Sequence, residues 1–248
     1  MSAIYVLWLR QMKRYLRSRA RIIGSLGQPI LYLVALGFGF GPVFQRAGQG
    51  SYLQFLAPGV IGMTVLFSAV FSGIELIWDR QFGFLKEVLV APVPRLNIMI
   101  GRTLGGATVS LIQGCIVIAI CLAAGFRPVD YRLLPYAFLF MALVAVAFTA
   151  MGTAIASVLT DFQGFQFIMN FLVMPMFFLS GALFPLTHAP QALQIVASLD
   201  PLAYGIDGMR AALLGSSHFG ATTDLAALLV VAAFLLALGS WLFSRIEL

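Results

Sequence analysis

Residue types that usually carry catalysis are scarce in this chain of 248 residues, which contains two histidines, two cysteines and two lysines. The histidines lie 30 residues apart, without the short spacings of a zinc site, so the pattern favours polar loop residues over metal ligands. Cys115 and Cys121 are six residues apart in an apolar stretch, which turns them to different sides of a helix and prevents a disulfide between them. We therefore predict no metal site and no redox centre.

Nucleotide chemistry is also missing from the sequence. The phosphate-binding pattern G-x-x-x-x-G-K-[S/T] does not occur, and neither Lys13 nor Lys86 follows a glycine-rich loop of that kind. Serines and threonines occur in apolar stretches, but no histidine falls within the membrane spans predicted below to activate one as a nucleophile. We therefore predict that the chain is not an enzyme and binds no cofactor of its own.

The richest group of charged side chains in the interior of the chain is residues 79–95, which read DRQFGFLKEVLVAPVPR. Phe82, Leu85 and Leu89 follow a helical spacing between charged neighbours, and the two prolines after them are expected to end the helix. A solvated connecting loop need not be amphipathic, whereas a short helix of mixed apolar and charged residues suits docking onto another protein. We therefore favour a docking helix over a plain loop.

Long apolar stretches must position these few polar residues. Hydrophobic residues make up 61% of the chain and charged residues only 10%, against about 25% charged in a typical soluble domain. Charged residues avoid six windows, each long enough for a helix that crosses a membrane. We predict an all-α membrane protein with a single domain over 1–248. Its six spans are expected at about 22–44, 52–76, 99–124, 133–158, 165–184 and 224–243.

The distribution of positive charge sets the expected orientation. With the N-terminus in the cytoplasm, eleven Lys and Arg residues fall on the cytoplasmic side and four on the outer side, in line with the positive-inside bias. We therefore predict that both termini are cytoplasmic, and the net charge of +6 needs no nucleic acid as a partner. The span centres contain no ionisable residue and only Glu75 comes close to one, which argues against an ion-driven pump.

Residues 3–21 are too basic to cross a membrane, and we expect them to lie along its surface as an amphipathic helix. The apolar face of this helix contains Tyr5, Trp8, Leu9, Met12 and Leu16. The basic face contains Arg10, Lys13, Arg14, Arg17 and Arg21. Anionic headgroups of membrane lipids are the expected contacts of the basic face. The helix serves either as a topology anchor alone or also as a contact surface for a cytoplasmic partner.

Four stretches in order along the chain carry a family resemblance. They read YLQFLAPG at 52–59, DRQFGFLKE at 79–87 with Pro92 and Arg95 leading to Gly101 and Arg102, FLSGALFP at 178–185, and PLAYGIDGMR at 201–210 with Leu214 and Gly215. Together, over essentially the whole chain, they resemble the integral-membrane permease of type 2 ATP-binding-cassette exporters, which has six spans per subunit. The resemblance is strongest to the subgroup that includes daunorubicin-type drug exporters and nodulation lipo-oligosaccharide exporters.

The resemblance implies that residues 79–90 are a coupling helix that docks in a groove of a separate ATPase subunit. Its expected coupling residues are Asp79, Arg80, Phe82, Gly83, Phe84, Leu85, Lys86 and Glu87. The ATPase subunit would bind ATP and magnesium, and the permease would pair with a second copy of itself or with a related permease. Residues 3–21 would be the family's interfacial helix, and residues 185–222 would form short outer re-entrant helices between spans five and six.

The resemblance implies that the chain is the permease subunit of an ATP-driven exporter and a multi-pass protein of a bacterial plasma (inner) membrane. The spans favour Phe and Met over Tyr and Trp, so we expect a hydrophobic or amphipathic cargo, drug-like or lipid-like, taken from the cytoplasm or the inner leaflet. The alternatives are export of a polysaccharide or lipo-oligosaccharide by the same machinery and, less favoured, a secondary carrier or channel. Candidates to line the pathway, with packing or lipid contact as their alternative role, are Phe167, Phe171, Phe178 and Phe184.

Overall fold

A computed structural model describes residues 2–46, 50–90 and 92–246 of the chain. The first residue and the last two of the predicted domain 1–248 lie outside that part, as do the side chains of Arg21 and Leu89. Within the described residues the protein is helical and has no strand. Its helices are α1 (Ala3–Arg17), α2 (Arg19–Arg46), α3 (Tyr52–Phe71), α4 (Ile74–Gln81), α5 (Phe84–Val90), α6 (Arg95–Ala123), α7 (Leu134–Val158), α8 (Phe162–Ile168), α9 (Met174–Leu179), α10 (Gln191–Leu199), α11 (Pro201–Leu214) and α12 (Ala221–Ser244).

The predicted all-α membrane fold is confirmed by six apolar helical segments, among the described residues, that are long enough to cross a bilayer. Spans one to six are Ile22–Arg46, Tyr52–Gln81, Arg95–Ala123, Tyr131–Val158, Phe162–Leu179 and Ala221–Ser244. Span two is longer than predicted because it includes α4 as well as α3. Span five combines α8, a π-helical turn over Met169–Val173 and α9.

Spans two and four form the centre of the bundle. In span two, 78% of the residues in its most apolar window are buried inside the protein, and in span four 61% are. The corresponding shares are 11% in span one, 22% in span five and 17% in span six. The peripheral spans therefore keep most of their apolar side chains on the outside, where lipid or another membrane chain is expected to cover them.

Helix α1 packs against the first half of α6 at two glycines. Atoms of Ile4 and Gln11 in α1 occupy the space that a Cβ atom on Gly101 or Gly105 would need. The two glycines lie four residues apart, on one face of α6. Because they have no side chains, α1 can approach that face closely, and the close partner is α1 rather than one of the spans. The buried residues of α1 are Leu7, Gln11, Met12 and Tyr15.

Three of the four stretches that carry the family resemblance meet at one end of the bundle, which we call the far end. Tyr52 is the first residue of span two, and its hydroxyl donates to the Leu183 carbonyl oxygen over 2.9 Å. The Arg210 guanidinium of α11 donates to the Gly181 carbonyl oxygen over 3.1 Å. Since both acceptors belong to the stretch after α9, these bonds hold spans two and five and α11 together.

Two short helices, α10 and α11, occupy the segment between spans five and six where re-entrant helices are predicted over 185–222. Asp200 caps the start of α11 with its carboxylate, and Gly215 ends α11 in a left-handed conformation. Asp207 accepts two backbone N–H groups and one hydroxyl from the loop before span six. The two helices match the predicted segment, and their re-entry into a membrane stays a prediction.

Candidate functional site

The predicted docking segment 79–90 forms the end of α4 and the whole of α5, joined by a glycine. Helix α4 ends at Gln81, and Gly83 adopts a positive φ of 81°, a left-handed conformation that glycine tolerates readily. Helix α5 begins directly afterwards. The turn at Gly83 therefore separates α5 from span two, at the end of the bundle that also holds α1 and that we call the basic end.

Exposed and buried side chains alternate around this turn. Phe82 is 83% exposed, and Lys86 and Glu87 are exposed beside it. Leu85 is only 1% exposed and Phe84 is half-buried, so these two fasten α5 to the protein. The turn thus presents an exposed aromatic ring flanked by two opposite charges, which matches a protein contact surface with an aromatic centre and a polar rim.

Asp79 lies at the centre of a buried group of charges, the Asp79 cluster, which it forms with Arg10, Arg14 and Arg102. Arg10 binds the carboxylate through two N–H groups, with Nη2 at 2.7 Å from Oδ1 and Nη1 at 3.0 Å from Oδ2. Arg102 of α6 donates to the same Oδ2 atom, and Arg14 Nη1 stands 3.9 Å from Oδ1. A charge in an apolar interior is costly without a partner, so Asp79 fixes arginines from two other helices.

The basic residues of α1 have two kinds of surroundings. The Arg10 guanidinium lies 3.7 Å from the centre of the Phe84 ring, and the Arg14 guanidinium lies over Trp78 at 5.4 Å. Through these ring contacts, Arg10 and Arg14 join α1 to α4 and α5, in addition to their ion pairs with Asp79. On α1, the described basic residues that remain exposed are Lys13 and Arg17.

Arg80 and Gln81 connect α4 to the end of α7. Arg80 donates to the carbonyl oxygens of Ser157 at 3.2 Å and Leu159 at 3.1 Å, and Gln81 donates to that of Thr160 at 3.3 Å. The last carbonyls of a helix have no partner within the helix and carry partial negative charge, which favours a guanidinium there. The docking segment is thereby tied to the chain just before span five.

The phenylalanines predicted to line a pathway lie in two places. Three of them, on span five, are exposed on the outside of the protein: Phe167, Phe171 and Phe178. Phe184 is half-buried at the far end, where it lines a pocket of about 400 Å³ with Tyr52 and other apolar residues. The structure therefore brings three of the four onto one exposed span and places the fourth apart from them.

Phe177, which the sequence does not distinguish from its neighbours, is a buried aromatic residue that packs span five against spans one and two. It is fully buried and meets the rings of Tyr32 in span one and Phe67 in span two edge-on, at 6.0 Å and 6.1 Å between centres. The π-helical turn over Met169–Val173 lies just before it. Phe171 and Phe177 lie six residues apart, which turns them to different sides of the helix, so Phe177 is buried and Phe171 is exposed.

Metal-binding side chains do not cluster in the part of the chain that the structure describes, where no three His, Cys, Asp or Glu residues could hold an ion together. Cys115 and Cys121 are free thiols and lie apart from the acidic residues. The oxygens of Asp79 accept hydrogen bonds from arginines. Asp79 and its arginines therefore form an ion-pair cluster that joins α1, α4 and α6.

Sequence reasoning missed the partners of Asp79. A signal was present, because Glu75 and Asp79 are the only acidic residues before Lys86, follow seven basic ones and lie four apart on one helical face. Carboxylates at the edge of an apolar span need positive partners. The sequence alone could not name them, because Arg10 and Arg102 are 69 and 23 residues away.

Comparison with known proteins gives a consistent picture. The sequence profile described as "ABC-2 type transporter" matches residues 2–214. Nodulation protein J of Rhizobium leguminosarum bv. viciae is 31% identical over 198 residues, which cover 79% of this chain and 76% of that protein. The candidate transport permease ycf38 of Porphyra purpurea is 34% identical over 197 residues, 78% of this chain and 68% of that protein. The six apolar spans and these matches together show that the chain belongs to the ABC-2 type transporter family.

Proposed function

We propose that this protein is the transmembrane permease subunit of an ATP-driven exporter that is coupled to a separate ATPase subunit through residues 79–90. The observation that carries the proposal is the turn around Gly83, where Phe82, Lys86 and Glu87 are exposed while Leu85 and the Asp79 cluster hold the turn in place. A surface that is chemically suited to a partner and mechanically fixed to the spans is what energy transfer from another subunit requires.

The contacts of the basic end provide a route for that transfer. A push on α5 reaches α1 through the stacking of Phe84 on Arg10, and it reaches α4 through the bond of Arg10 to Asp79. From α4 the hydrogen bonds of Arg80 lead to the end of α7, immediately before span five. Span five in turn contacts spans one and two through Phe177. Movement of the docking surface is therefore expected to alter the packing of spans one, two and five.

The cargo is proposed to be hydrophobic or amphipathic, and to leave the cytoplasm or the inner leaflet. Spans one and five support this class, because both expose mainly apolar side chains, while the uncharged Gln163, Gln166 and Asn170 on span five suit the polar part of an amphipathic cargo. A second permease chain, identical or related, is proposed to face these spans and to enclose the pathway with them. The basic end is proposed to lie in the cytoplasm of a bacterium, where the ATPase subunit binds ATP and magnesium, with the permease in the plasma membrane.

The test is reconstitution with an ABC-type ATPase subunit, sought first in the reading frames next to that of this chain. We expect Phe82→Asp to weaken association and lower ATPase stimulation at least about tenfold, because a central aromatic contact is commonly worth 2 kcal/mol or more. Val129→Asp is the matched control, since it adds the same charge at an exposed apolar position of the far end. An ATPase that binds and is stimulated equally by the parent and by Phe82→Asp would contradict coupling through this turn.

A further inference from the structure

A cleft of about 620 Å³ opens between span one and spans two and three at the basic end. We call it the α2–α3 cleft. Its walls are the end of α1, the first turns of α2, the length of α3 and α4 from Met63 to Trp78, and Gln113 of α6. The pathway phenylalanines and the docking turn do not line it. Gly24, on its α2 wall, is exposed, so the cleft can be reached from outside the bundle.

One end of the cleft carries a single positive and a single negative side chain. Arg14 and Glu75 are the charged residues that line it, and Arg14 Nη1 lies 3.9 Å from Glu75 Oε2. That distance gives electrostatic attraction but exceeds the 2.7–3.2 Å of a direct N–H···O hydrogen bond. Glu75 also attracts Arg102 electrostatically and Arg14 lies near Asp79, so both charges are compensated within the protein. A ligand with one anionic and one cationic group can bind next to both side chains without adding net charge to this end of the cleft.

The rest of the cleft is long and mainly apolar. The lining residues of span two run from Met63 to Trp78, which corresponds to about 20 Å at 1.5 Å per residue. That length exceeds half the thickness of a bilayer's hydrocarbon core, about 15 Å. Polar side chains also line the inner wall: Thr64 and Ser68 of span two and the buried Gln113 of span three, whose amide can meet an ester, amide or hydroxyl group of a ligand. A compact hydrophobic compound would leave most of this length unfilled.

We propose that the α2–α3 cleft binds one elongated zwitterionic amphiphile, with its headgroup between Arg14 and Glu75 and its chain along α3. A purely anionic headgroup would place a second negative charge near Glu75, and a purely cationic one would repel Arg14. The occupant is either a resident membrane lipid or the exported cargo, since both sources offer this chemistry. Only the cargo assignment rests on the proposed exporter function, and the binding site stands without it.

Trp78 provides a direct readout of binding, because its ring lines the charged end of the cleft. The three tryptophans of the chain include Trp8 and Trp241, which are replaced by phenylalanine so that Trp78 alone fluoresces. The protein is reconstituted in vesicles of phosphatidylglycerol and titrated with phosphatidylethanolamine whose acyl chain is brominated near the ester. Brominated phosphatidylglycerol is the anionic comparison. We expect saturable quenching at a several-fold lower fraction of the zwitterionic lipid than of the anionic one.

Two glycines of span one allow a matched pair of variants. A Cβ atom on Gly24 or on Gly27 would meet nothing within 4 Å, so Gly24→Leu and Gly27→Leu are both expected to fold. Only Gly24 lines the cleft. A leucine there displaces part of the acyl chain, and because each buried methylene is worth about fourfold in affinity, losing two weakens binding about fifteenfold. Gly27→Leu is expected to bind like the parent.

The outcomes separate the alternatives. Quenching that ignores the headgroup, or that is equal in the Gly24→Leu and Gly27→Leu proteins, shows contact with surrounding lipid only and overturns the proposal. Selective quenching lost in Gly24→Leu alone supports it. Addition of the ATPase and ATP then identifies the source, since a cargo leaves the inner leaflet and a resident lipid does not. If binding is selective and no amphiphile of any class is moved, the exporter proposal fails while the site stands.

Discussion

Replacing Asp79 with asparagine is expected to loosen α1 and α5 from the bundle while hardly changing the shape of the side chain. Asparagine keeps one acceptor oxygen, but its amide N–H groups would face the N–H groups of the surrounding arginines. The negative charge that compensates Arg10 and Arg102 is also lost. The variant thus tests the Asp79 cluster by its charge and hydrogen bonds rather than by its packing.

The size of the effect follows from how well each arginine can regain water. The Arg102 side chain is only 5% exposed, and removing one partner of a buried ion pair costs about 3–5 kcal/mol. Arg10 is 30% exposed and Arg14 stands 3.9 Å away, so each of these contributes about 1 kcal/mol or less. We expect Asp79→Asn to lower the free energy of unfolding by about 4 kcal/mol, a large part of the 5–15 kcal/mol typical of native proteins.

The assay is unfolding of the purified protein in mixed micelles titrated with a denaturing detergent, followed by tryptophan fluorescence. A double variant, Asp79→Leu with Arg102→Met, replaces both charges by apolar groups and is expected to recover most of the loss. Glu87→Gln, an exposed carboxylate on the same segment, is the control and is expected to change stability by less than about 0.5 kcal/mol. A loss below about 1 kcal/mol for Asp79→Asn would refute the reasoning. So would a double variant whose loss equals the sum of the losses in the single variants Asp79→Leu and Arg102→Met.

Three further changes test other parts of the fold. Gly105→Leu is expected to displace α1 from α6, because a side chain there collides with Gln11, and overpacking of this kind costs about 1–3 kcal/mol. Asp207→Asn is expected to free the loop before span six for proteolysis, because it weakens three hydrogen bonds to that loop. Burial raises the pKa of Asp200 from 3.8 to about 7, so the folded protein holds this proton more tightly than the unfolded chain and stability falls as the pH rises from 3.8 to about 7. Asp200→Asn is expected to flatten that slope in unfolding measured across this range.

Each of these changes has a control or an opposing result. For Gly105→Leu, Gly39→Leu provides the same substitution in open space, and equal stability of the two would show that α1 does not rest on that glycine. For Asp207→Asn, Asp130→Asn removes an acid of another far-end loop, and equal cleavage rates would contradict the anchoring role. A pH slope that persists unchanged in Asp200→Asn would assign the titration to another group.

The six spans could be predicted from the sequence because a membrane interior excludes unpaired charge, so gaps between charged residues mark the helices. The contacts of individual side chains were harder to predict from the sequence. The spacing of Gly101 and Gly105 predicts close packing but does not name the partner, which is α1. Phe171 and Phe177 have the same side chain within one apolar span, so residue type alone does not distinguish the exposed ring from the buried one.

For a related reason, the sequence did not show which basic residues of α1 form ion pairs within the protein and which remain exposed. Arg10, Lys13, Arg14 and Arg17 share a helical spacing that indicates one basic face, and headgroup contact is the simplest interpretation of such a face. In the structure, Arg10 and Arg14 contact protein carboxylates instead, because Asp79 and Glu75 lie within reach of them. Pairing over long separations depends on the tertiary arrangement, which local pattern does not encode.

Arg14 belongs to both the Asp79 cluster and the α2–α3 cleft, and this shared residue predicts that the two sites affect one another. Its guanidinium lies 3.9 Å from both Asp79 and Glu75, so a headgroup that attracts Arg14 draws it from the ion pairs behind the docking turn. Since binding linkage is reciprocal, the factor by which phosphatidylethanolamine changes the affinity for the ATPase must equal the factor by which the ATPase changes the affinity for that lipid.

The contact of Arg14 with Asp79 is worth about 1 kcal/mol or less, so we expect a factor of up to about fivefold in both directions. The lipid's effect is measured by titrating the ATPase against the permease in vesicles with and without phosphatidylethanolamine. The ATPase's effect is measured by quenching of Trp78 with and without the ATPase. Arg14→Gln is expected to bring both factors toward one, because the shared charge is gone. Equal and large factors that survive this substitution would show that the two sites communicate through other contacts, such as the packing of α3.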